Sequence, residues 1–450
     1  MPALEPWLDE QYGRAAQAML RSISPVDIVK TRPGFGQVVR ALKGAVVASP
    51  VLASYDPDPD YFFHWYRDSA VVIDALRVLF EDGTVGREAL GHFGDFVRFS
   101  LDLERLDGRA LVAQPSWRQR VAPDFTGFLR TSADLGAVHG AAVAGDTRVN
   151  PDGTLDISRW ARPQHDGPAL RALTLLRWAR HVAQDDAPDA ASTADLHNLI
   201  RSDLDFTARH WRIPSFDIWE EEQGQHYYTL RVAAAALEAG AEWLQRGAGS
   251  AGSANCEIAH SYQAQAQLIR GALEGFWWPQ AGYFRSRLLA ADAASTKELD
   301  IAVILAAIHA GGSGAHSPQD PRMHATLERL QSLFDAAYAI NHGRPEYTAP
   351  AMGRYAGDVY YSGGAYYFST LGAAEFCFRA ALGGDQARGW IARGDAFLAT
   401  VRAFTPANGE LSEQFDQHTG AQSSARHLAW SYAGFISCVR ARRDVMATGA

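Results

Sequence analysis

Residues 58–79 read DPDYFFHWYRDSAVVIDALRVL. A segment rich in aromatic and charged side chains here runs directly into an apolar stretch, Ala70–Leu79, with helical spacing. A helix that is apolar on several sides has to be buried on several sides. The stretch therefore predicts a buried helix whose N-terminal end carries the polar and aromatic side chains of the preceding segment.

Helical periodicity dominates the rest of the chain as well. It predicts twelve helices, at about residues 3–21, 67–81, 86–104, 168–184, 194–211, 226–246, 255–274, 297–309, 322–338, 364–382, 385–403 and 424–443. Short strands are expected only between residues 33 and 65 and in the loop 108–166, and no regular βαβ alternation indicates a doubly wound sheet. Gly247–Ala254 and Gly311–Ser317 are interpreted as loops within one domain.

Aromatic, charged and glycine-rich segments precede every second helix. Besides the first, they are SRWARPQHDGP (158–168), FDIWEEEQGQHYY (216–228), STKELD (295–300), GRYAGDVYYSGGAYY (353–367) and SEQFDQHTGAQSS (412–424). Five of the six enter the N-terminal end of a helix, whereas the helices between them follow short, plain turns. This order favours an all-α (α/α)6 barrel of six inner and six outer helices, with one pocket at the N-terminal ends of the inner helices. An open helical solenoid is the alternative.

Composition excludes several function classes. The 450 residues include 42 Lys and Arg and 51 Asp and Glu, a net charge of −9, which argues against a nucleic-acid partner. Three cysteines make no disulfide framework, and neither zinc spacing nor a nucleotide-binding glycine loop is present, so no metal or other cofactor is expected. No apolar run is long enough to span a membrane. The N-terminus has no secretory pattern, which favours a cytoplasmic protein unless the chain is a mature secreted form.

The segment before the first buried helix contains a candidate sugar site. Arg67 and Asp68 could together bind sugar hydroxyl groups, with Tyr61 and Trp65 as an aromatic wall. Asp68 as a plain helix N-cap is the alternative.

Two other segments carry candidate carboxyl groups. The first is Asp217-Ile218-Trp219-Glu220-Glu221-Glu222. Its acidic side chains could be a solvated run at the start of a helix. Alternatively, one of the carboxyl groups lies in an apolar, Trp-lined pocket, where its pKa would rise. Glu413 is either a surface residue or a second carboxyl at the same pocket. Two carboxyl groups about 6.5–9.5 Å apart, with room for one water, are what an inverting glycosidase requires.

Further candidates come from the remaining segments. Trp160 and Arg162 are candidate substrate-binding residues, although Trp160 could also be a core residue. Arg354 follows a glycine and precedes Tyr360, and Trp430 lies in the last predicted inner helix. Packing is the alternative for the loop tyrosines.

Several of these segments together resemble the catalytic domain of fungal glucoamylases, glycoside hydrolase family 15. The matching stretches, in the family's order, are GAVVASP (44–50), DPDYFFHWYRDS (58–69), Trp160 with RPQHDGPALR (162–171), FDIWEE (216–221), Arg354-Tyr355 with Tyr360-Tyr361, and SEQFDQHTGAQSSARHLAWSY (412–432). They extend over essentially the whole chain. The resemblance implies an (α/α)6 barrel that releases β-D-glucose from the non-reducing ends of α-1,4-glucans with inversion.

The resemblance also assigns roles to residues. Glu220 matches the general acid and Glu413 the general base, and Arg67 and Asp68 match the pair that holds the non-reducing glucose. The other matched substrate-binding positions are Tyr61, Trp65, Trp160, Arg162, Asp217, Ile218, Trp219, Glu221, Arg354, Tyr360 and Trp430.

The sequence departs from the fungal pattern at a few positions. Asp156 stands four residues before Trp160 where fungal enzymes carry Tyr, Tyr366 replaces a Trp, and His64 and Tyr66 replace threonines. We expect these positions to shape the outer sugar subsites. Activity on α-1,6 or trehalose linkages is therefore an alternative, and a non-catalytic sugar-binding regulatory domain is another.

We also expect residues 1–450 to form one catalytic domain. No starch-binding module and no N-terminal β-sandwich domain is expected beside it. The expected substrate is an α-glucan or malto-oligosaccharide, and the expected oligomeric state is a monomer without a membrane partner.

Overall fold

The computed structural model describes residues 4–54, 57–182, 192–247, 252–290, 293–382 and 386–449. Three ends of helices that the sequence predicts lie outside the described residues, at 3, 183–184 and 385. The described residues also leave out 248–251 of the expected loop Gly247–Ala254. The helices are α1 (Leu4–Leu20), α2 (Tyr66–Glu81), α3 (Glu88–Leu103), α4 (Gly108–Ala113), α5 (Ser132–Gly136), α6 (Asp166–Val182), α7 (Thr193–His210), α8 (Tyr227–Gly247), α9 (Gly252–Glu274), α10 (Ala302–Ala310), α11 (Pro321–Ala337), α12 (Tyr367–Ala381), α13 (Ala387–Phe404) and α14 (Ala429–Ala447).

Strands are short within these ranges. They are β1 (Val29–Arg32), β2 (Gln37–Arg40), β3 (His64–Trp65), β4 (Arg148–Val149), β5 (Ser215–Phe216), β6 (Gln223–His226), β7 (Trp277–Trp278), β8 (Tyr283–Phe284), β9 (Arg287–Leu289), β10 (Ala365–Tyr366), β11 (Gln414–Phe415) and β12 (Gln422–Ser423). They pair as β1–β2, β3–β4, β5–β6–β9, β7–β8 and β10–β11–β12, all antiparallel.

Six helices close into a ring. α2 packs against α6, α6 against α8, α8 against α10, α10 against α12, α12 against α14, and α14 returns to α2. Around this ring, α1 packs on α14, α3 on α2 and α7, α7 on α6, α9 on α8, α11 on α10, and α13 on α12. The predicted (α/α)6 barrel is confirmed, and the closed ring rules out the open solenoid.

The inner helices are mostly buried, as their composition predicts. In α12 every residue except Arg379 is buried, and in α10 every residue except His309. The outer helix α13 buries only one face, which includes Phe397, Leu398 and Val401. This contrast follows from hydrophobic burial, because an inner helix has neighbours all round and an outer helix has solvent on one side.

Small sheets lie at the N-terminal ends of three inner helices. β3 runs directly into α2, β6 into α8, and β10 into α12. The predicted helix starts at 297, 364 and 424 were too early, since α10, α12 and α14 begin later. Residues 365–366 pair as a strand instead. Ser424 and His427, which follow the strand 422–423, have left-handed backbones (φ 61° and 50°) that cannot continue into a helix.

No helix in the described ranges has both the length and the apolar character needed to cross a lipid bilayer.

Candidate active site

A cavity of about 250 Å3 lies at the N-terminal ends of the inner helices. It is lined by Ala48, Tyr61, Trp65, Arg67, Asp68, Trp160, Ile218, Trp219, Glu220, Glu221, Arg354, Tyr360, Phe368, Glu413, Leu428 and Trp430. Thirteen of the fifteen residues predicted from the sequence are among them. Segments far apart in the chain therefore meet at one pocket, as the alternation of helices predicts.

Glu220 enters this cavity from the turn between β5 and β6, Asp217–Glu222, which we call the acidic turn. Its backbone is left-handed, with φ 67°, a conformation that costs a non-glycine residue about 1–3 kcal/mol. Its Oε1 oxygen accepts a hydrogen bond of 2.7 Å from the indole nitrogen of Trp65, and its Oε2 accepts one from the indole nitrogen of Trp160. The guanidinium of Arg67 lies 3.4 Å from Oε1.

The other carboxyl groups of the acidic turn are all bound to neighbours. Asp217 is buried, and its Oδ1 accepts the backbone N–H groups of Glu221 and Glu222 at 2.8 and 2.9 Å. Glu221 is bound by Tyr355, Arg354 and Lys297. The interpretation of this run as a solvated helix start was therefore wrong, because the residues form a turn between two strands and each carboxylate has its own partners.

Arg67 and Asp68 belong to the first turn of α2. Arg67 is buried and lies 3.3 Å from Asp166 Oδ2 and 3.5 Å from Asp68 Oδ2, and it donates a hydrogen bond of 3.1 Å to Gln164. These acids offset the unfavourable position of a cation at the positive end of a helix. Asp68 Oδ2 is buried at the cavity without a hydrogen-bond partner, so it is free to accept one from a ligand hydroxyl. Burial raises the pKa of Asp68 to about 6, although Arg67 lowers it.

Glu413 directly precedes β11, and it reaches the same cavity. Its backbone N–H donates to the carbonyl of Ala425 at 2.7 Å. Its Oε2 accepts a short hydrogen bond from the Ser424 hydroxyl, and its Oε1 lies 3.3 Å from the Tyr61 hydroxyl. Burial raises the pKa of the Glu413 carboxyl to about 7, although Ser424, Arg354 and Tyr61 lower it.

Aromatic rings form the walls. Trp219, Phe368 and Trp430 stack with nearly parallel planes, and the centroids of Phe368 and Trp430 are 4.5 Å apart. Trp65 and Tyr61 form another wall, with centroids 5.2 Å apart. Trp160 is 38% exposed, so it lies at the rim. Flat rings of this kind present apolar faces to the cavity, while the indole N–H groups of Trp65 and Trp219 are already bound to Glu220 and Asp300.

Arg162 and Asp217 are the two predicted residues that do not line the cavity. Arg162 is bound to Asp146 and, at 2.8 Å, to Asp156. Asp217 is the first residue of the acidic turn, 3.4 Å from Arg287. It holds the backbone N–H of Glu221, which does line the cavity.

The four departures from the fungal pattern do not line this cavity either. Asp156 binds Arg148, which lies over the ring of Trp160 at 3.7 Å. Tyr366 accepts a hydrogen bond from Gln414, and His64 and Tyr66 are buried in packing. The expectation that they shape outer subsites therefore has a structural route for Asp156, through Arg148 and Trp160. It has another for Tyr366, whose ring lies 5.1 Å from that of Phe368 and 5.3 Å from the guanidinium of Arg354.

Sequence reasoning missed several residues of the site. Phe368 and Leu428 line the cavity, and Ser424 binds Glu413, yet none of them stood out as a site residue. Ser424 falls within the SEQFDQHTGAQSS segment, which was a usable signal. The sequence around Phe368 carried no such signal, because a phenylalanine in an apolar helix gives the same hydrophobic periodicity whether its side chain faces the core or a pocket.

Across the ranges that the structure describes, no group of three or more His, Cys, Asp or Glu side chains is placed to hold a metal ion. The acidic groups around the cavity have Arg, Lys, Tyr, Ser or Trp side chains as neighbours.

Comparison with known proteins identifies the family of this chain. The model of the glycosyl hydrolases family 15 matches residues 14–89, 145–393 and 391–440. The chain is 28% identical over 479 residues to a probable glucoamylase from Schizosaccharomyces pombe, covering 98% of this chain and 93% of that protein. It is 26% identical over 489 residues to Glucoamylase 1 from Rhizopus oryzae, covering 98% and 71%.

A solved structure shares the fold. The glucoamylase from Saccharomycopsis fibuligera superposes with a TM-score of 0.78 at 22% identity, covering 99% of this chain and 96% of that one. The family match extends over most of the chain and includes the segments that carry Glu220 and Glu413. This chain therefore belongs to the glycosyl hydrolases family 15 and is a glycoside hydrolase.

Proposed function

We propose that this enzyme releases β-D-glucose from the non-reducing ends of α-1,4-linked gluco-oligosaccharides and polysaccharides, with inversion at the anomeric carbon. One observation carries the proposal: Glu220 and Glu413, separated by almost two hundred residues in the chain, line a single aromatic cavity. The relatives named above, which are called glucoamylases, support the choice of substrate class.

In this mechanism Glu220 is the general acid. Its carboxyl donates a proton to the glycosidic oxygen as the bond from that oxygen to the anomeric carbon breaks. Glu413 is the general base, and it takes a proton from a water molecule whose oxygen attacks the anomeric carbon from the opposite face. Positive charge develops on the sugar ring, and the carboxylates around the cavity stabilise it.

The proposal places the terminal sugar at Arg67 and Asp68, which would close the pocket beyond it and limit attack to the chain end. Both residues stand at the start of α2 and line the cavity. Asp68 Oδ2 accepts no hydrogen bond from the described residues, so we assign it to a hydroxyl of the non-reducing glucose. A chain end can fill such a pocket, whereas the middle of a chain cannot.

The remaining cavity residues receive supporting roles in this proposal. Tyr61, Trp65, Trp160, Trp219 and Trp430 provide stacking faces for sugar rings. Arg354 donates hydrogen bonds to Asp358 and Glu221, and we assign Glu221 and Arg354 to contacts with sugar hydroxyl groups at the cleavage point. We further propose that the chain acts as a monomer and as one catalytic domain.

The experiment that tests this function measures glucose release from maltose, maltotriose, isomaltose and trehalose side by side, with the anomer followed by proton NMR in the first minutes. We expect maltose and maltotriose to be the best substrates and the β-anomer to appear first. Faster hydrolysis of isomaltose or trehalose would move the assignment to those linkages. Initial release of α-glucose would contradict an inverting mechanism.

A further inference from the structure

A buried cluster of charges lies directly behind the acidic turn. Arg287 is the first residue of β9, which pairs with β6, the strand that follows the turn. Its guanidinium lies 2.6 Å from Asp300, 2.8 Å from Glu222 and 3.4 Å from Asp217. Arg287 is 1% exposed, and Asp217 and Asp300 are also buried.

This cluster reaches the acidic turn at three positions around Glu220. Asp217 and Glu222, at the two ends of the turn, are within ion-pair distance of Arg287. Trp219, in its middle, donates its indole N–H to Asp300 at 2.8 Å, on the same Oδ2 oxygen that Arg287 binds. The only described cation in direct ion-pair contact with Asp217, Glu222 and Asp300 is Arg287.

The turn needs such support because its backbone is strained. Glu220 holds a left-handed conformation that few non-glycine residues adopt. A strained residue persists only where its surroundings leave the chain no relaxed alternative. The planar guanidinium, with its five fixed donors, can bind several carboxylates at once in a set geometry, which a lysine ammonium cannot do in the same way.

We propose that Arg287 is a positioning residue that holds the acidic turn in the strained conformation directing Glu220 into the cavity. This inference rests on the proposed function of Glu220 as the general acid. Arg287 does not line the cavity, so it acts on catalysis only through the turn. Its loss should therefore affect the chemical step and leave binding of the terminal sugar, at Arg67 and Asp68, nearly unchanged.

The expected size of the effect follows from geometry. A displacement of a catalytic group by about 1 Å can cost on the order of 100-fold in rate. We expect Arg287→Met to lower kcat on maltotriose about 100-fold while KM changes less than about threefold. Arg287→Lys, which keeps the charge but not the fork of donors, should lower kcat about tenfold and fold more readily than the Met variant.

Arg171 provides a matched control. It is also 1% exposed and makes a two-hydrogen-bond ion pair at 2.8 Å for both contacts, but its partner Asp203 lies in α7 and not in the acidic turn. Arg171→Met should therefore lower Tm, because it leaves a buried carboxylate without its partner, while the folded enzyme keeps kcat within about threefold of the wild type.

The experiment measures kcat, KM, Tm and far-UV circular dichroism for the full chain and these variants, together with Glu220→Gln. An Arg287→Met enzyme whose kcat matches that of Arg171→Met, or whose loss lies in KM, overturns the positioning role. If Arg287→Met does not fold, the Arg287→Lys variant provides the test. A kcat equal to that of the wild type in Arg287→Lys then overturns the proposal. High activity in Glu220→Gln would instead refute the proposed function itself, so the two failures are distinguishable.

Discussion

The indole nitrogen of Trp65 lies 2.7 Å from Oε1 of Glu220, and the ring of Trp65 packs 5.2 Å from that of Tyr61. The hydroxyl of Tyr61 lies 3.3 Å from Oε1 of Glu413. Two aromatic residues of one segment, just before α2, therefore connect the two carboxyl groups of the cavity. Rigid side chains in these positions fix the carboxyl groups before the substrate arrives.

Replacement of Trp65 by phenylalanine tests this link. Trp65→Phe removes the indole N–H, so Oε1 of Glu220 loses its closest donor while most of the aromatic wall remains. We expect kcat on maltotriose to fall about tenfold, since a hydrogen bond to a charged group contributes about 1.5–3 kcal/mol. Steady-state kinetics checks this.

Trp178→Phe is the control for this variant. Trp178 is fully buried in the inner-helix core, and its indole N–H donates to the carbonyl of Ile73 at 2.9 Å. Its replacement should lower Tm and leave kcat nearly unchanged. Equal kcat in the two variants would mean that the Trp65 hydrogen bond has no catalytic role.

Removal of either proposed catalytic carboxyl should stop turnover. Acid–base groups contribute about 100- to 10,000-fold each. We expect both Glu220→Gln and Glu413→Gln to lower kcat at least 100-fold while binding of a substrate analogue, measured by calorimetry, stays within about tenfold of the wild type. Near-normal turnover in either variant would remove that residue from the mechanism.

The hydrogen bond from Ser424 to Glu413 predicts a shift in pH dependence. Glu413 has to be ionised to act as a base, and burial raises its pKa to about 7 while the Ser424 hydroxyl lowers it. The wild-type kcat/KM should therefore rise with pH as Glu413 loses its proton. Ser424→Ala removes a donor that stabilises the carboxylate, so the acid limb of the profile should move to higher pH. A limb that stays in place, or moves to lower pH, would contradict the role of Glu413 as base.

The raised pKa of Glu413 also predicts a cost in stability. An unfolded glutamate has a pKa near 4.3, whereas the folded value is about 7. The folded state therefore binds more protons between these values, and stability falls as pH rises through this window. Glu413→Gln should raise the free energy of unfolding at pH 8 by on the order of 3 kcal/mol, with the gain vanishing near pH 4. Denaturant unfolding at pH 8 and near pH 4 measures the free energy of unfolding of both proteins. An equal gain at the two pH values would refute the claim that burial of the charged Glu413 carboxylate costs stability.

Much of the fold was predictable because its signals are local. Hydrophobic periodicity located the helices, and polar segments before every second apolar helix indicated the ring. The predicted start near 364 failed because β10 forms only when it pairs with β11, a strand from a separate segment. The predicted start near 424 failed because Ser424 and His427 have left-handed backbones, so α14 begins only at Ala429. Nothing in the local pattern of residues 364–366 distinguishes a short strand from the first turn of a helix.

The sequence by itself determined the alternation of buried and half-buried helices and, through its ordered motifs, predicted Glu220 and Glu413 as the two catalytic carboxyl residues. Only the tertiary structure decided that the middle of the acidic turn, residues 218–221, lines the cavity while Asp217 and Glu222 do not. It also showed that Arg287, more than sixty residues away, binds the two ends of the turn. It also decided that Glu413 has the raised pKa. The physical reason is that periodicity reports on neighbours along the chain, whereas burial and ion pairing depend on groups that folding brings together from distant segments.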